Sequence, residues 1–271
     1  MYPSIAKSYK GVYPFRLATT SFIYPDHYVP NVKMLGPYVD EIELLLFESL
    51  PPGSLPSEAV IKELCRLARD YDLTYNVHLP TDVSISHSVP EKQRQAVDTL
   101  LKVIQLVAPL YPSACTLHIP CHANSTGGDN LKSWQARVRR NLDQILVSGI
   151  SPQLIAVETL DYPFDRLAGI VEDLKLSVCL DLGHLAAGAF DIKTIFKRYG
   201  SKTSIIHLHG FKRDRDHLAI DQLPAECLQA VLWVLQRFEG TVSLEVFSYD
   251  DLNVSLRFLD NVYNGSFSDE R

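Results

Sequence analysis

Short apolar runs alternate with longer amphipathic segments along most of the chain. The runs at residues 15–21, 41–47, 74–79, 114–119, 154–157, 178–182, 204–210 and 241–246 have the length and near-continuous hydrophobicity of strands buried on both faces. Between them lie segments with helical spacing. One ends near Val39 despite a Gly36-Pro37 break, and another starts at Ser57, a residue suited to an N-cap, with Ile61, Leu64, Leu67 and Ala68 on one face. A third opens at Pro90 and carries Val97, Leu100, Leu101, Ile104 and Ala108; a fourth runs through Trp134, Val138, Leu142 and Ile145. Further helices are expected over 163–174, 192–199, 228–238 and 251–259, with a charged loop at 212–217. Eight strand-like runs alternating with helices predict a parallel sheet closed as a single (β/α)8 TIM barrel. An open doubly wound sheet is the runner-up, disfavoured because no Gly-rich phosphate fingerprint follows the first strand. The whole of 1–271 reads as one domain, with a short extension at 1–14 and a frayed tail at 264–271.

Composition narrows the setting. The chain is 46% hydrophobic and 21% charged, as expected of a globular protein with one large core. Its five cysteines, Cys65, Cys115, Cys121, Cys179 and Cys227, form no CxxC pair and lie mostly in apolar runs, which points to reduced core thiols. No apolar stretch is long enough to span a bilayer and residues 1–11 carry no apolar signal core, so a cytoplasmic location with no membrane partner is expected. The formal charge of −6 makes nucleic acid a poor partner, since gripping a polyanion needs a positive face.

Candidate chemistry gathers at strand ends. The sixth run, Val178-Cys179-Leu180-Asp181-Leu182-Gly183-His184, breaks into a carboxylate, a glycine that lets the chain turn, and an imidazole. Alone, Asp181 reads as a helix cap and His184 as a rim residue. In a barrel, however, the C-terminal ends of the strands converge on one mouth. There the third strand delivers His78, the fourth His118, the fifth Glu158, the sixth Asp181 and His184, the seventh His207, the following loop His217 and the eighth Glu245. Any one of these has an ordinary structural role open to it. Together they are the ligand set for zinc, manganese, iron or cobalt, and carboxylates gathered so closely need cations between them. His209, two residues after His207, is a competing ligand or a support to one. His122 follows the fourth strand closely enough to touch substrate, whereas His27 and His87 lie in loops outside the pattern.

These residues resemble the xylose-isomerase-like barrels, a superfamily of sugar isomerases and epimerases that also holds the endonuclease IV type of apurinic-site nuclease. The resemblance covers most of the chain. It implies that Glu158, Asp181, His207 and Glu245 are the ligands common to the superfamily, and that His78, His118, His184 and His217 are the additional histidines of the multi-metal, nuclease-like members. Two departures stand out: Arg215 occupies the Asp position of the Asp-x-His expected after the seventh strand, and Gly210 replaces a common Asp. Asp214 or Asp216 would have to fill the gap. More narrowly, residues 15–21, 77–80, 157–164 and 178–184, with His207-Leu208-His209-Gly210, look like the cobamide-remodelling (CbiR-type) branch, whose members hydrolyse the nucleotide loop of vitamin B12-like cofactors.

The expected activity is therefore hydrolysis of a phosphoester on a small molecule, a cobamide foremost, with one or two divalent ions, zinc foremost. Glu158, Glu245 and His184 are the expected catalytic groups, and Arg213, Arg215, His209 and His122 the expected substrate contacts. The alternatives are a metal-dependent sugar isomerase or epimerase, in which Glu158 and Glu245 move a proton on and off carbon, and a non-catalytic ligand-binding barrel. Abasic-site repair ranks below these because of the acidic charge.

Overall fold

A computed structural model describes residues 2–51, 53–121, 130–213 and 215–265. Eight parallel strands close into a barrel: β1 (Arg16–Thr20), β2 (Glu41–Leu45), β3 (Thr74–His78), β4 (Cys115–Leu117), β5 (Ile155–Glu158), β6 (Ser177–Asp181), β7 (Thr203–Leu208) and β10 (Thr241–Leu244). Each strand neighbours its predecessor in the eightfold series, and β1 meets β10 to shut the ring, with Arg16 opposite Thr241. The predicted barrel is the observed one.

Helices fill the connections: α1 (Tyr28–Leu35), α2 (Glu58–Tyr71), α3 (Pro90–Val107), α4 (Leu131–Val147), α5 (Asp165–Asp173), α6 (Leu182–Ala187), α7 (Ile192–Tyr199), α8 (Ala225–Leu235) and α9 (Tyr249–Gly265). Local chemistry sets their starts. The Ser57 hydroxyl accepts the Val60 N–H, Asn130 accepts from Ser133 N–H, and Pro90 occupies the first turn of α3. Their apolar stripes, such as Ile61, Leu64 and Leu67 on α2, or Trp134, Val138, Leu142 and Ile145 on α4, pack against the outer face of the barrel. No helix among the described residues is long and apolar enough to cross a membrane.

Three expectations need correction. The described residues of 212–217, read as a loop, belong to a two-stranded antiparallel pair, β8 (Gly210–Lys212) and β9 (Arg215–Leu218). Its charged, solvent-facing sequence carries no alternating apolar pattern to betray it. The sixth strand runs directly into the short helix α6, whose six residues give too little periodicity to mark a helix in the sequence. The closing helix continues to Gly265, so Asn264 and Gly265 are helical and not tail; residues 266–271 lie outside the described part.

Period-two alternation decides what fills the barrel. Ala156, Cys179 and Ile205 form a buried interior cluster with Ala114, and two residues further along their strands come Glu158, Asp181 and His207. The same step leads from Asn76 to His78, from Thr116 to His118 and from Ser243 to Glu245. Small or polar residues below thus leave room for a polar layer above. At the opposite end the buried Glu41 plugs the barrel, accepting hydrogen bonds from Thr74 Oγ1 (2.6 Å), Asn76 Nδ2 (2.8 Å) and Ser113 Oγ (2.6 Å), with Arg16 Nε 3.4 Å away. Fully partnered, it is a structural carboxylate.

Candidate metal centre

The barrel mouth brings every predicted ligand together. Glu158, at the end of β5, is the hub: its Oε2 lies 2.8 Å from His118 Nε2 and 3.3 Å from His78 Nε2, and its Oε1 lies 3.6 Å from His207 Nδ1. Across His207, Glu245 Oε2 stands 3.1 Å from Nδ1 and 3.5 Å from His217 Nε2. Asp181 Oδ2 lies 2.9 Å from His184 Nδ1, and its Oδ1 lies 3.2 Å from His209 Nε2. Three groups have donor atoms mutually close enough to share an ion: Glu158, Asp181, His207 and Glu245; His78, Glu158 and His207; and His184, His209 and His217.

These short distances are not ordinary hydrogen bonds. Both oxygens of Glu158, Asp181 Oδ2, Glu245 Oε2, His184 Nδ1, both nitrogens of His207 and His209 Nε2 are buried without a hydrogen-bond partner. A protein rarely leaves so many buried polar atoms unsatisfied in one place, because each costs about 1–3 kcal/mol. Lone pairs that approach one another without a proton aligned between them are the arrangement a cation would satisfy. His78 is already set for that role: its Nδ1–H donates to the Leu79 carbonyl at 3.0 Å, which leaves Nε2 with a free lone pair turned towards Glu158. The donor set of imidazoles and carboxylates therefore fits a divalent ion such as zinc.

Charge in the cluster agrees. Burial alone would raise the Glu158 carboxyl, yet His118 and His207 hold it well below its ordinary range; Glu245 is lowered likewise, chiefly by His207. Burial also opposes ionisation of Asp181, and His209 and His184 outweigh it. His184 is pushed up to about 10, burial being overcome by Asp181, and His217 to about 9, burial being overcome by Glu245.

Two glycines take on specific meaning. Gly183 does not serve the turn expected of it, since the strand runs straight into α6; a Cβ there would fall 2.4 Å from His209 Cε1. The residue is small so that the imidazole can reach Asp181. Gly210 could not hold the Asp of the nuclease pattern, for a Cβ would lie 2.1 Å from the Ala219 carbonyl oxygen where the hairpin folds back. Asp216 lies beside two of the histidines, with Oδ1 3.0 Å from His217 Nδ1 and Oδ2 3.7 Å from His184 Nε2.

Other expected contacts fare differently. Arg213 and Arg215 are exposed on the hairpin and do not line the central pocket. His122 and Asp214 lie outside the described residues. The sequence reading missed Glu43, a buried β2 carboxylate with Oε1 3.0 Å from His207 Nε2 and Oε2 accepting from Ser243 Oγ at 2.6 Å. Its signal was present: Glu41 and Glu43 occupy alternate positions of an otherwise apolar strand, both facing inwards. Phe47 and Phe247, also overlooked, wall the mouth. Phe47 sets its edge on His78 at 4.6 Å and Phe247 stacks on His217 at 4.9 Å.

A family model described as a xylose isomerase-like TIM barrel matches residues 31–262. Among solved structures, the chain is similar to a D-tagatose 3-epimerase-like protein at 17% identity and a TM-score of 0.75, covering 93% of this chain and 100% of that one. It is similar to endonuclease IV from Thermus thermophilus at 17% identity and a TM-score of 0.70, covering 94% and 99%. An L-ribulose 3-epimerase matches at 14% identity and a TM-score of 0.70, covering 94% and 97%. At these identities the likeness is one of fold.

Proposed function

The chain belongs to the xylose isomerase-like TIM barrel family, and from that premise we propose that it is a metal-dependent hydrolase of a phosphoester. The observation that carries this reading is the pair of imidazoles, His78 and His118, facing one oxygen of Glu158 opposite the Asp181, His207 and Glu245 side. Glu158, Asp181, His207 and Glu245 would hold one divalent ion, zinc foremost, and His78 and His118 would extend Glu158 to a second. Bound there, the ions would supply an acidified water and would compensate charge on phosphoryl oxygens. His184, partly open to the pocket, can hold a proton at Nε2 for a leaving oxygen. Asp181 Oδ2 flanks the other nitrogen of that ring, Nδ1, at 2.9 Å. Arg213 and Arg215 on the hairpin, and His122 after β4, are proposed contacts to the rest of the substrate; His209, expected as a further contact, is wholly buried and lies against Asp181 instead.

Resemblance of the strand-end motifs to the cobamide-remodelling branch supports one phosphodiester in a cobamide nucleotide loop as the target. The formal charge of −6 favours such a small molecule over a polyanion. Incubation with a complete cobamide, followed by mass analysis of the fragments, tests this; cleavage should disappear in both Glu245→Gln and Asp181→Asn. Intact cobamide, or cleavage surviving in both variants, would overturn it.

The structures named above lean towards a second reading, sugar epimerisation, because two of the three are epimerases or epimerase-like by name. Glu158 and Glu245, both beside His207 Nδ1, would then exchange a proton with carbon from opposite sides. Keto sugars incubated in deuterated water separate the two: deuterium gained at carbon favours epimerisation.

A further inference from the structure

The pocket over the ligand cluster holds about 240 Å³, below the ~300–1,000 Å³ usual for small-molecule sites. Its opening is one-sided. Phe47, just beyond the end of β2, and Phe247, just beyond the end of β10, set their rings at 89° with centroids 6.3 Å apart, the edge-to-face packing that aromatic pairs prefer. Because β1 lies between β2 and β10 in the ring of strands, the pair crosses over its C-terminal end. Among the described residues, none from β1 lines the pocket. On the far side of Phe47 lies a separate cavity of about 480 Å³, bordered by Phe22 and Tyr28, so the aromatic pair is a partition between the two.

Each ring has a rigid backing. Phe47 stands edge-on to His78, which is 1% exposed and tied through Nδ1 to the Leu79 carbonyl. Phe247 stacks on His217, which stacks in turn on the wholly buried His209 at 4.2 Å and 19°. Rings packed in series resist displacement, because giving way means leaving favoured rotamers and close contacts. Across the pocket the opposite holds: the side chains of His118 and His184 are 25% and 24% exposed. That is the open side.

We infer that Phe47 and Phe247 form a shape filter: they admit the reacting group only on a slender neck, with the body of the substrate lying outside, over His118 and His184. This rests on the proposed function only in taking the ligand cluster as the reacting centre. A bulky group joined directly to the reacting atom would meet the two rings before its oxygens reached the cluster, and a clash of this sort is how a site rejects a competitor it could otherwise hold. Without the wall the order would reverse, since burying more apolar surface against the rings tightens binding. The sign of the discrimination is therefore diagnostic.

The test is binding, with no turnover needed. Methylphosphonate, adamantylphosphonate and adamantylpropylphosphonate present the same charged group to a bound metal, and the last carries its cage on a thin chain. Each is titrated calorimetrically into the zinc-loaded protein, with metal content followed by elemental analysis. The methyl and adamantylpropyl compounds are expected to bind, and adamantylphosphonate to bind about tenfold more weakly than either, in line with the cost of overpacking. Phe247→Ala should close most of that gap. Phe247→Leu, which keeps a side chain against His217, should close less of it, and decides the case if the Ala variant loses metal. Equal binding of the methyl and adamantyl compounds, failure of the propyl chain to restore binding, a gap indifferent to Phe247, or binding of none of the three would overturn the filter. Filtering through Phe247 in a protein that cleaves no phosphoester would uphold the filter and remove the hydrolase reading, and phosphoester cleavage without filtering would do the reverse.

Discussion

Glu43 Oε1 lies 3.0 Å from His207 Nε2, and both side chains are wholly shielded from water. The opposite nitrogen of the same ring faces Glu158 and Glu245, so Glu43 stands behind His207 as those two stand before it. Removing such a support usually lowers metal affinity about 10–100-fold. Glu43→Ala is expected to fall in that range in a competition titration against a chelator, and Glu43→Gln, which can still meet Ser243, to fall less. Unchanged affinity in Glu43→Ala would remove Glu43 from the site.

Metal content should track the two ligand groups that share Glu158. His118→Ala, at the more open end of the cluster, is expected to lose one equivalent of metal by elemental analysis while the rest stays bound. Glu158→Gln, which touches both groups, should lose more. Wild-type protein purified without chelator that carried no divalent metal would count against the whole centre.

Gly183→Ala tests the close approach of His209. The added methyl forces the imidazole away from Asp181 Oδ1, and overpacking of this kind costs about 1–3 kcal/mol. Thermal unfolding should show that modest loss, accompanied by a larger fall in metal affinity. Full metal affinity in a destabilised variant would reduce Gly183 to packing alone.

Acid should loosen the β2–α2 connection through Asp82. Its carboxylate accepts from Ser49 N–H (2.7 Å), Leu50 N–H (2.9 Å) and Ser49 Oγ (2.7 Å), and these bonds outweigh burial to hold its pKa below the ordinary value. Because the folded value is the lower one, the stabilisation is present above the unfolded value, near 3.9, and is lost as pH falls through the folded one. The group is solvent-exposed and screened, so the effect is at most ~1 kcal/mol. The stability difference between wild type and Asp82→Asn should be present at pH 6 and shrink below pH 4; a difference that does not change with pH would contradict it.

Much of this was legible because a barrel turns sequence order into spatial order. The eight runs located the strands, and each strand-end residue from His78 to Glu245 then fell at the mouth without any knowledge of contacts. What escaped was whatever lacks periodicity or depends on a neighbour. The strands β8 and β9 pair although their charged sequence looks like a loop, and α6 is shorter than two turns. In sequence Gly183 reads as a turn residue because its reason, the His209 ring, is far from it along the chain. Glu43 could have been found by asking why a buried strand carries two glutamates; only the fold showed that one seals the base while the other supports His207.

Glu158 and His207 belong to two of the three ligand groups at once. Sites that share members cannot titrate independently. Neutralising Glu158 from the His78 and His118 side alters the charge and orientation it presents to Asp181 and Glu245, so occupancy of one position is linked to affinity at the other, reciprocally. A metal-binding isotherm of this protein should therefore depart from the sum of two simple hyperbolas, and a substitution on one side of Glu158 should reshape the curve for the other.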